Sequence, residues 1–159
     1  MLQTTKLTRE VDGIPTEVVI QRFVDCTLLL ITQLGKVGNL IRARIPATAP
    51  LLPTPAPDPD EPNVIPLPPP SPAIELTPLL GNAPSEHIRT LHSLYASQAA
   101  SLVWASDTSG LLEVERKDVV VGVALHRHVG TTFEGSPTEH EREVFHGVMA
   151  MVKEVVSRE

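Results

Sequence analysis

The most informative segment of this chain is Thr27-Leu28-Leu29-Leu30-Ile31-Thr32. Its apolar and β-branched residues favour a strand. Successive side chains of a strand point to opposite faces of a sheet, so Leu28 and Leu30 share one face while Leu29 and Ile31 share the other. Both faces must therefore be covered, one by the chain's own helices and the other by a second body. The sequence leaves open which face the helices cover.

Further predicted strands precede and follow this segment. Residues 16–24 are rich in β-branched side chains, and shorter runs at 6–11 and 39–45 have the same character. The glycines of Gly35-Lys36-Val37-Gly38 predict a turn. We therefore expect the strands on its two sides to form a hairpin.

Basic residues gather on the second strand of this predicted hairpin. Leu40, Arg42 and Arg44 share one of its faces, and Lys36 stands at the hairpin tip. The three basic residues are part of only 13 Lys and Arg in a chain of net charge −6. Two interpretations stay open. The charges either protect an edge strand from incorrect pairing or steer the hairpin to an acidic patch on a partner.

Thirteen of the 16 prolines lie between Pro46 and Pro78. Such a segment favours extended backbone without internal hydrogen bonds, and it shows no apolar periodicity. We predict a single domain over residues 1–159 that is interrupted by a disordered proline-rich loop at 46–73. Because no Lys or Arg occurs from Pro46 through Glu86, a spacer is favoured over an SH3 ligand.

The second half of the chain alternates strands and helices. A strand at 74–80 is followed by a helix that opens at Ser85 and carries an apolar stripe from Ile88 to Leu102. Residues 118–125 predict a buried strand. A capping box from Ser136 to Glu139 predicts the start of the last helix. The predicted element order is βββββαβα, an α+β fold.

The composition excludes several classes of function. A net charge of −6 argues against a general nucleic-acid binder. The longest apolar run, from Leu28 to Ile31, is too short to cross a membrane, and the N-terminus does not resemble a signal peptide. A single cysteine, Cys26, fits a reducing compartment. We expect a protein of the cytoplasm and, as a second location, the nucleus.

Catalytic and metal-binding patterns are incomplete. The pair His126 and His128 has no evident third ligand. The segment that begins at His140 has Val144 where a zinc protease needs its second histidine. Cys26 lies beside Asp25, whose charge opposes a thiolate. We therefore predict no enzyme activity, no catalytic residue, no cofactor and no metal site.

Two segments resemble a known family. Gly13-Ile14-Pro15-Thr16-Glu17-Val18-Val19 and Thr32-Gln33-Leu34-Gly35-Lys36-Val37-Gly38 are similar to the first half of the proteasome assembly chaperone 3 family, in the same order and spacing. Leu79-Leu80-Gly81 and residues 119–125 match the order of that family more loosely. The proline-rich connection and an apparent insertion at 106–117 depart from it. The chain thus resembles a fungal-type member with a proline-rich insertion.

This resemblance implies a six-stranded, mostly antiparallel sheet with two helices on one face. It implies a heterodimer with a type 4 assembly chaperone through the sheets, with a homodimer as a second option. The pair would promote assembly of the α-ring from proteasome α-subunits and leave before the core particle matures. A small dimeric adaptor of roadblock or longin type is the alternative. The candidate interface residues are Leu28, Leu29, Leu30, Ile31, Lys36, Leu40, Arg42 and Arg44.

Overall fold

A computed structural model describes residues 2–33, 35–107, 116–126 and 138–158. The elements follow the predicted order βββββαβα. The strands are β1 (Thr4–Val11), β2 (Ile14–Arg22), β3 (Cys26–Thr32), β4 (Asn39–Arg44), β5 (Glu75–Leu80) and β6 (Asp118–Ala124). The helices are α1 (Glu86–Asp107) and α2 (Glu139–Ser157). The α+β class is therefore confirmed.

The strands form one mixed sheet in the order β1-β2-β3-β6-β4-β5. Strand β6 runs parallel to β3, and the other four pairings are antiparallel. The predicted hairpin between β3 and β4 is wrong, because β6 lies between the two strands and pairs with both. The connection that contains Lys36 instead crosses the end of β6.

Gly38 makes this crossing possible. Its φ of 69° lies in the left-handed region, and a side chain there would bring Cβ to 2.4 Å from the carbonyl oxygen of Val123. Only glycine fits both the backbone conformation and the close approach. The glycine pair that suggested a tight hairpin turn therefore serves a wider connection over a third strand.

Both helices cover the same face of the sheet. They bury the side chains that alternate toward them on the central strands, including Val18, Leu29, Ile31 and Val121, which have no exposed surface. Tyr95 of α1 and Phe145 of α2 contact each other edge to face, with ring centroids 5.1 Å apart. The helix layer and this sheet face form one apolar core.

Helix α2 begins two residues later than expected. Its N-cap is Thr138, whose hydroxyl accepts a hydrogen bond from the backbone N–H of Glu141, while the Glu141 carboxylate accepts from the backbone N–H of Thr138. The predicted box from Ser136 to Glu139 is replaced by this overlapping one; Ser136 itself lies outside the described residues. Both pairs have the same Ser/Thr-x-x-Glu spacing.

The connection between β4 and β5 contains no helix or strand, and its two ends lie against the helix layer. Gln98 of α1 donates a hydrogen bond to the buried carbonyl oxygen of Pro68 at 2.8 Å. Leu51 and Leu67 pack on the core, whereas residues 52–65 are exposed. The disorder predicted for 46–73 stays a prediction, but the segment has two packed stems and a projecting middle.

Candidate protein-interaction surface

The sheet face opposite the helices, the open face, carries a continuous apolar stripe. The register places Val19 beside Leu30, and Leu28 beside Val120. Leu40 of β4 continues the row across β6, because its register partner there is Gly122. The apolar stripe consists of Val19, Leu28, Leu30, Leu40 and Val120, all half-buried. Four neighbouring strands thus present apolar side chains on a face that neither described helix covers.

Gly122 leaves room at the centre of the stripe for the leucine side chains of the two neighbouring strands. A Cβ at this position would lie 2.7 Å from Leu30 Cδ2 and 3.2 Å from Leu40 Cδ2. The two leucine side chains therefore lean over the glycine from the strands on either side. A glycine inside a strand marks such a close approach, although it weakens the strand itself. Here the glycine makes the apolar surface uninterrupted from β3 to β4.

More exposed apolar side chains extend this surface at one end. Leu80 stands opposite Leu40 in the register and is 60% exposed, and Val37 in the β3–β4 connection is 43% exposed. The carbonyl oxygen of Val37 lies 3.1 Å from the Cβ position of Gly122. The connection thus folds back toward the open face at the carboxyl end of β6.

Charged groups border the stripe on the β4 side. Asp118 Oδ1 lies 3.1 Å from Arg44 Nε, and Asp118 Oδ2 lies 3.8 Å from Arg42 Nε. Arg42 Nε is buried and forms no hydrogen bond with the described residues. Two guanidinium groups thus share one carboxylate. A positive charge beside an apolar surface favours a partner that supplies an acceptor there.

The opposite border of the stripe is electrically balanced. Lys6 Nζ on β1 lies 2.7 Å from Glu17 Oε2 on β2, and both side chains are at least one-third exposed. An exposed pair of this kind contributes little to stability. The two borders of the open face therefore differ, with one lysine–glutamate pair at β1 and, at β4, two arginines around Asp118 with Glu75 of β5 opposite Arg44 in the register.

The structure divides the predicted interface residues into two groups. Leu28, Leu30, Leu40, Arg42 and Arg44 lie on the open face. Leu29 and Ile31 were wrongly included as candidates, because they are fully buried beneath the helices and cannot touch a partner. Lys36 is exposed, and its backbone N–H donates to Thr32 Oγ1 at 3.3 Å.

Two features of this surface were not predicted from the sequence. Val19 and Val120 belong to the stripe, but β6 had to be placed between β3 and β4 before Val120 could be assigned to it. The interpretation of Arg42 and Arg44 as protection of an edge strand is also wrong. Strand β4 is paired on both sides, so it has no free edge to protect.

The two segments that resemble the chaperone family meet at this end of the sheet. Gln33 Nε2 donates to Thr16 Oγ1 at 3.0 Å, and Gln33 Oε1 accepts from the backbone N–H of His126 at 2.9 Å. The backbone N–H of Gln33 donates to the carbonyl oxygen of Ala124. One side chain thus joins β2, the β3–β4 connection and the end of β6.

Cys26 is also on this face, at the start of β3 beside Asp118. Burial raises the pKa of its thiol, and the charges of Asp25 and Asp118 act in the same direction. A protonated thiol is a poor nucleophile and a poor metal ligand. Among the described residues no three His, Cys, Asp or Glu side chains are grouped as metal ligands.

Neither described helix has the length and apolar character that crossing a membrane requires. Comparison of the sequence with models of known families and with curated proteins finds no match. The resemblance to proteasome assembly chaperone 3 therefore rests on the two motifs themselves.

Proposed function

We propose that this chain is an assembly chaperone that pairs with a structurally related protein through the open face. On the resemblance of its two motifs, the partner is a type 4 proteasome assembly chaperone. The pair promotes formation of the α-ring from proteasome α-subunits in the cytoplasm or nucleus and dissociates before the core particle matures.

The apolar stripe is the observation that carries this proposal. A sheet with two apolar faces usually has both of them covered, and the two described helices cover only one. Removal of apolar surface from water is favourable by about 25 cal/mol for each Å². A partner that covered the exposed parts of Leu28 and Leu30 would therefore be bound more tightly. Docking of a partner on the stripe would provide that burial.

A second sheet is the occupant that best fits the shape of this surface. Two sheets pack face to face at a separation of about 10 Å when their side chains interdigitate. The stripe spans four strands, so a comparable stripe on a related fold would match its width. Arg42 Nε, which is buried and forms no hydrogen bond with the described residues, adds a requirement for an acceptor on the partner at this position.

The meeting of the two motifs supports the family assignment within this proposal. Thr16 from one motif and Gln33 from the other form a direct hydrogen bond. This contact gives the two motifs a shared structural role at one end of the sheet. Lys36, which lies in the second motif and is exposed, is the proposed contact with an α-subunit.

Binding assays with matched leucine variants test the proposal. Leu28→Glu places a charge in the stripe, whereas Leu94→Glu places it on an exposed part of α1. Both variants should keep the circular dichroism spectrum of the parent. The first should lose capture of the type 4 chaperone and of α-subunits from a lysate of the same organism, and the second should keep it.

Other results would reject the proposal in distinguishable ways. If Leu28→Glu captures the type 4 chaperone as well as the parent does, the open face is not the interface. If the parent instead captures GTPases or coat proteins through the stripe, the chain is a dimeric adaptor. If the parent forms only dimers with itself, the partner assignment is wrong while the interface stands.

A further inference from the structure

Four hydroxyl residues of the chain directly precede a proline, namely Thr54, Ser71, Thr77 and Ser136. This dipeptide is the motif that proline-directed protein kinases accept, and these enzymes bind their substrates as extended chains. The kinase must reach the hydroxyl and also the backbone on either side of it. Ser136 lies outside the described residues, but the structure distinguishes the other three.

Ser71 and Thr77 are held within the fold. Ser71 is 9% exposed, and its hydroxyl accepts a hydrogen bond from the backbone N–H of Ala73 at 3.2 Å. Its carbonyl oxygen accepts from the N–H of Ile74, which closes a turn. The side chain of Thr77 is exposed, but its backbone lies in β5, where it pairs with Arg42 of β4. A kinase could use either residue only after local unfolding.

Thr54 is presented in the opposite way. It is exposed, it lies in the projecting part of the proline-rich connection, and it forms no hydrogen bond within the described residues. Pro53 and Pro55 flank it. A residue before proline is directed to extended conformations, and neighbouring prolines favour a polyproline-like backbone. The segment therefore already has the extended form that a kinase binds.

The stems of the connection hold this segment on the helix side of the sheet. Arg116 donates to the carbonyl oxygen of Pro46 at 2.9 Å, and Lys153 Nζ lies 3.4 Å from that of Pro66. Residues 52–65 between these stems are exposed. Both ends of the segment that carries Thr54 are thus anchored on the helix side of the sheet, away from the apolar stripe.

We propose that Thr54 is the phosphate acceptor for a proline-directed kinase. In this reaction Thr54 Oγ1 attacks the γ-phosphorus of ATP, and the bond from that phosphorus to the β–γ bridging oxygen breaks. ADP leaves, and the hydroxyl proton passes to the catalytic base of the kinase. The product is a phosphothreonine in an otherwise intact chain.

The modification would turn an acidic segment into a strongly acidic one. A phosphate adds a charge of about −1.5 to −2 at neutral pH. Asp58, Asp60 and Glu61 follow within seven residues, and no Lys or Arg lies between Pro46 and Glu86 to neutralise them. The phosphorylated segment would therefore suit a partner that reads phosphate with an arginine cluster.

Rates of phosphorylation in the folded chain and in peptides test this proposal. The full chain carries Ser136→Ala, and it is treated with ATP and a cyclin-dependent or mitogen-activated protein kinase. Synthetic peptides of residues 50–59, 67–75 and 73–82 are treated in parallel. Mass spectrometry measures the rate at each site. The Thr54 rates in chain and peptide should agree within about threefold, and Thr54→Ala should remove nearly all phosphate from the chain.

A Thr54 rate more than about tenfold lower in the chain than in its peptide would overturn the proposal, as would absence of phosphate at Thr54. Faster labelling of Ser71 or Thr77 than of Thr54 in the folded chain would overturn it as well.

Discussion

His87 Nε2 lies 2.7 Å from Glu141 Oε1, and this contact joins the first turn of α1 to the capping box of α2. The same carboxylate uses its other oxygen to accept the backbone N–H of Thr138. Glu141 therefore both caps α2 and holds the first turn of α1 against the start of α2. Both side chains are about four-fifths buried.

This contact predicts a dependence of stability on pH. Burial raises the pKa of Glu141, but hydrogen bonds from His87 and Thr138 outweigh it and lower the pKa below its usual value. A carboxyl with a lowered folded-state pKa stabilises the fold above its unfolded pKa, which is about 4.3, and loses that contribution as pH falls through the folded value. Glu141→Gln should therefore unfold more easily than the parent at pH 6, by about 1 kcal/mol.

Urea unfolding at pH 3 to 7 measures this effect. The difference between parent and Glu141→Gln should shrink toward zero at the acid end. Glu139→Gln is the matched control, because Glu139 is an exposed carboxylate in the same turn of α2. A difference that stays constant over the whole range would contradict the assigned role of the carboxylate charge.

Truncation of adjacent leucines should separate the two sheet faces. Leu29 is fully buried under the helices, so Leu29→Ala should cost about 2–5 kcal/mol of unfolding free energy. Leu28 is half-buried on the open face, and Leu28→Ala should cost about 1 kcal/mol in the isolated chain. Chemical denaturation of the monomer provides both values. Equal losses would mean that both faces are equally covered.

The proline-rich connection should tolerate removal of its middle but not of its stems. Replacing residues 53–65 by about four Gly/Ser residues should change the unfolding free energy by less than about 0.5 kcal/mol, because loop closure depends only on the logarithm of length. Replacing 47–72 should destabilise by about 2–4 kcal/mol. It removes packed Leu51 and Leu67 and leaves Gln98 buried without its acceptor.

Thermal unfolding of the two deletion variants decides this point. The sequence alone predicts that the longer deletion stabilises the fold, since it shows no apolar periodicity in this segment. In the structure, Gln98 of α1 and the core contact the two stems, so we expect the longer deletion to lower the melting temperature instead. A longer deletion that melts at or above the parent temperature would mean that the stems do not pack.

The arginine border should affect the rate at which the open-face partner binds. Arg42→Gln with Arg44→Gln removes two positive charges beside the stripe. Border charges act mainly on association and are screened by salt. We expect association with the proposed partner, a type 4 chaperone, to slow about tenfold at low ionic strength and by less than about twofold in 0.5 M salt.

Neutralising two arginines of the helix layer gives the control for this experiment. Arg89→Gln with Arg142→Gln changes the net charge equally, and both residues are exposed on the opposite side. Stopped-flow association at several salt concentrations compares the two double variants. If both slow binding to the same extent, the effect is one of total charge rather than of this border.

Local patterns predicted the elements well, because alternation and helical period are properties of short segments. The alternation in Thr27–Thr32 correctly placed Leu28 and Leu29 on different faces. The position of β6 was not predictable in this way. Its pairing joins it to β3, 92 residues away, and to β4, 76 to 84 residues away, and a short connection with two glycines is equally compatible with a hairpin. The α2 start was missed because two Ser/Thr-x-x-Glu pairs overlap.

The placement of β6 has a consequence for the order of folding. Strands β1 to β3 can pair as they are synthesised, and β4 can pair with β5, but β6 alone connects these two groups. Until residues 118–124 leave the ribosome, β3 and β4 each expose an unpaired apolar edge that can pair with other chains. A protein proposed to guide the assembly of others would itself depend, late in synthesis, on one strand to escape aggregation.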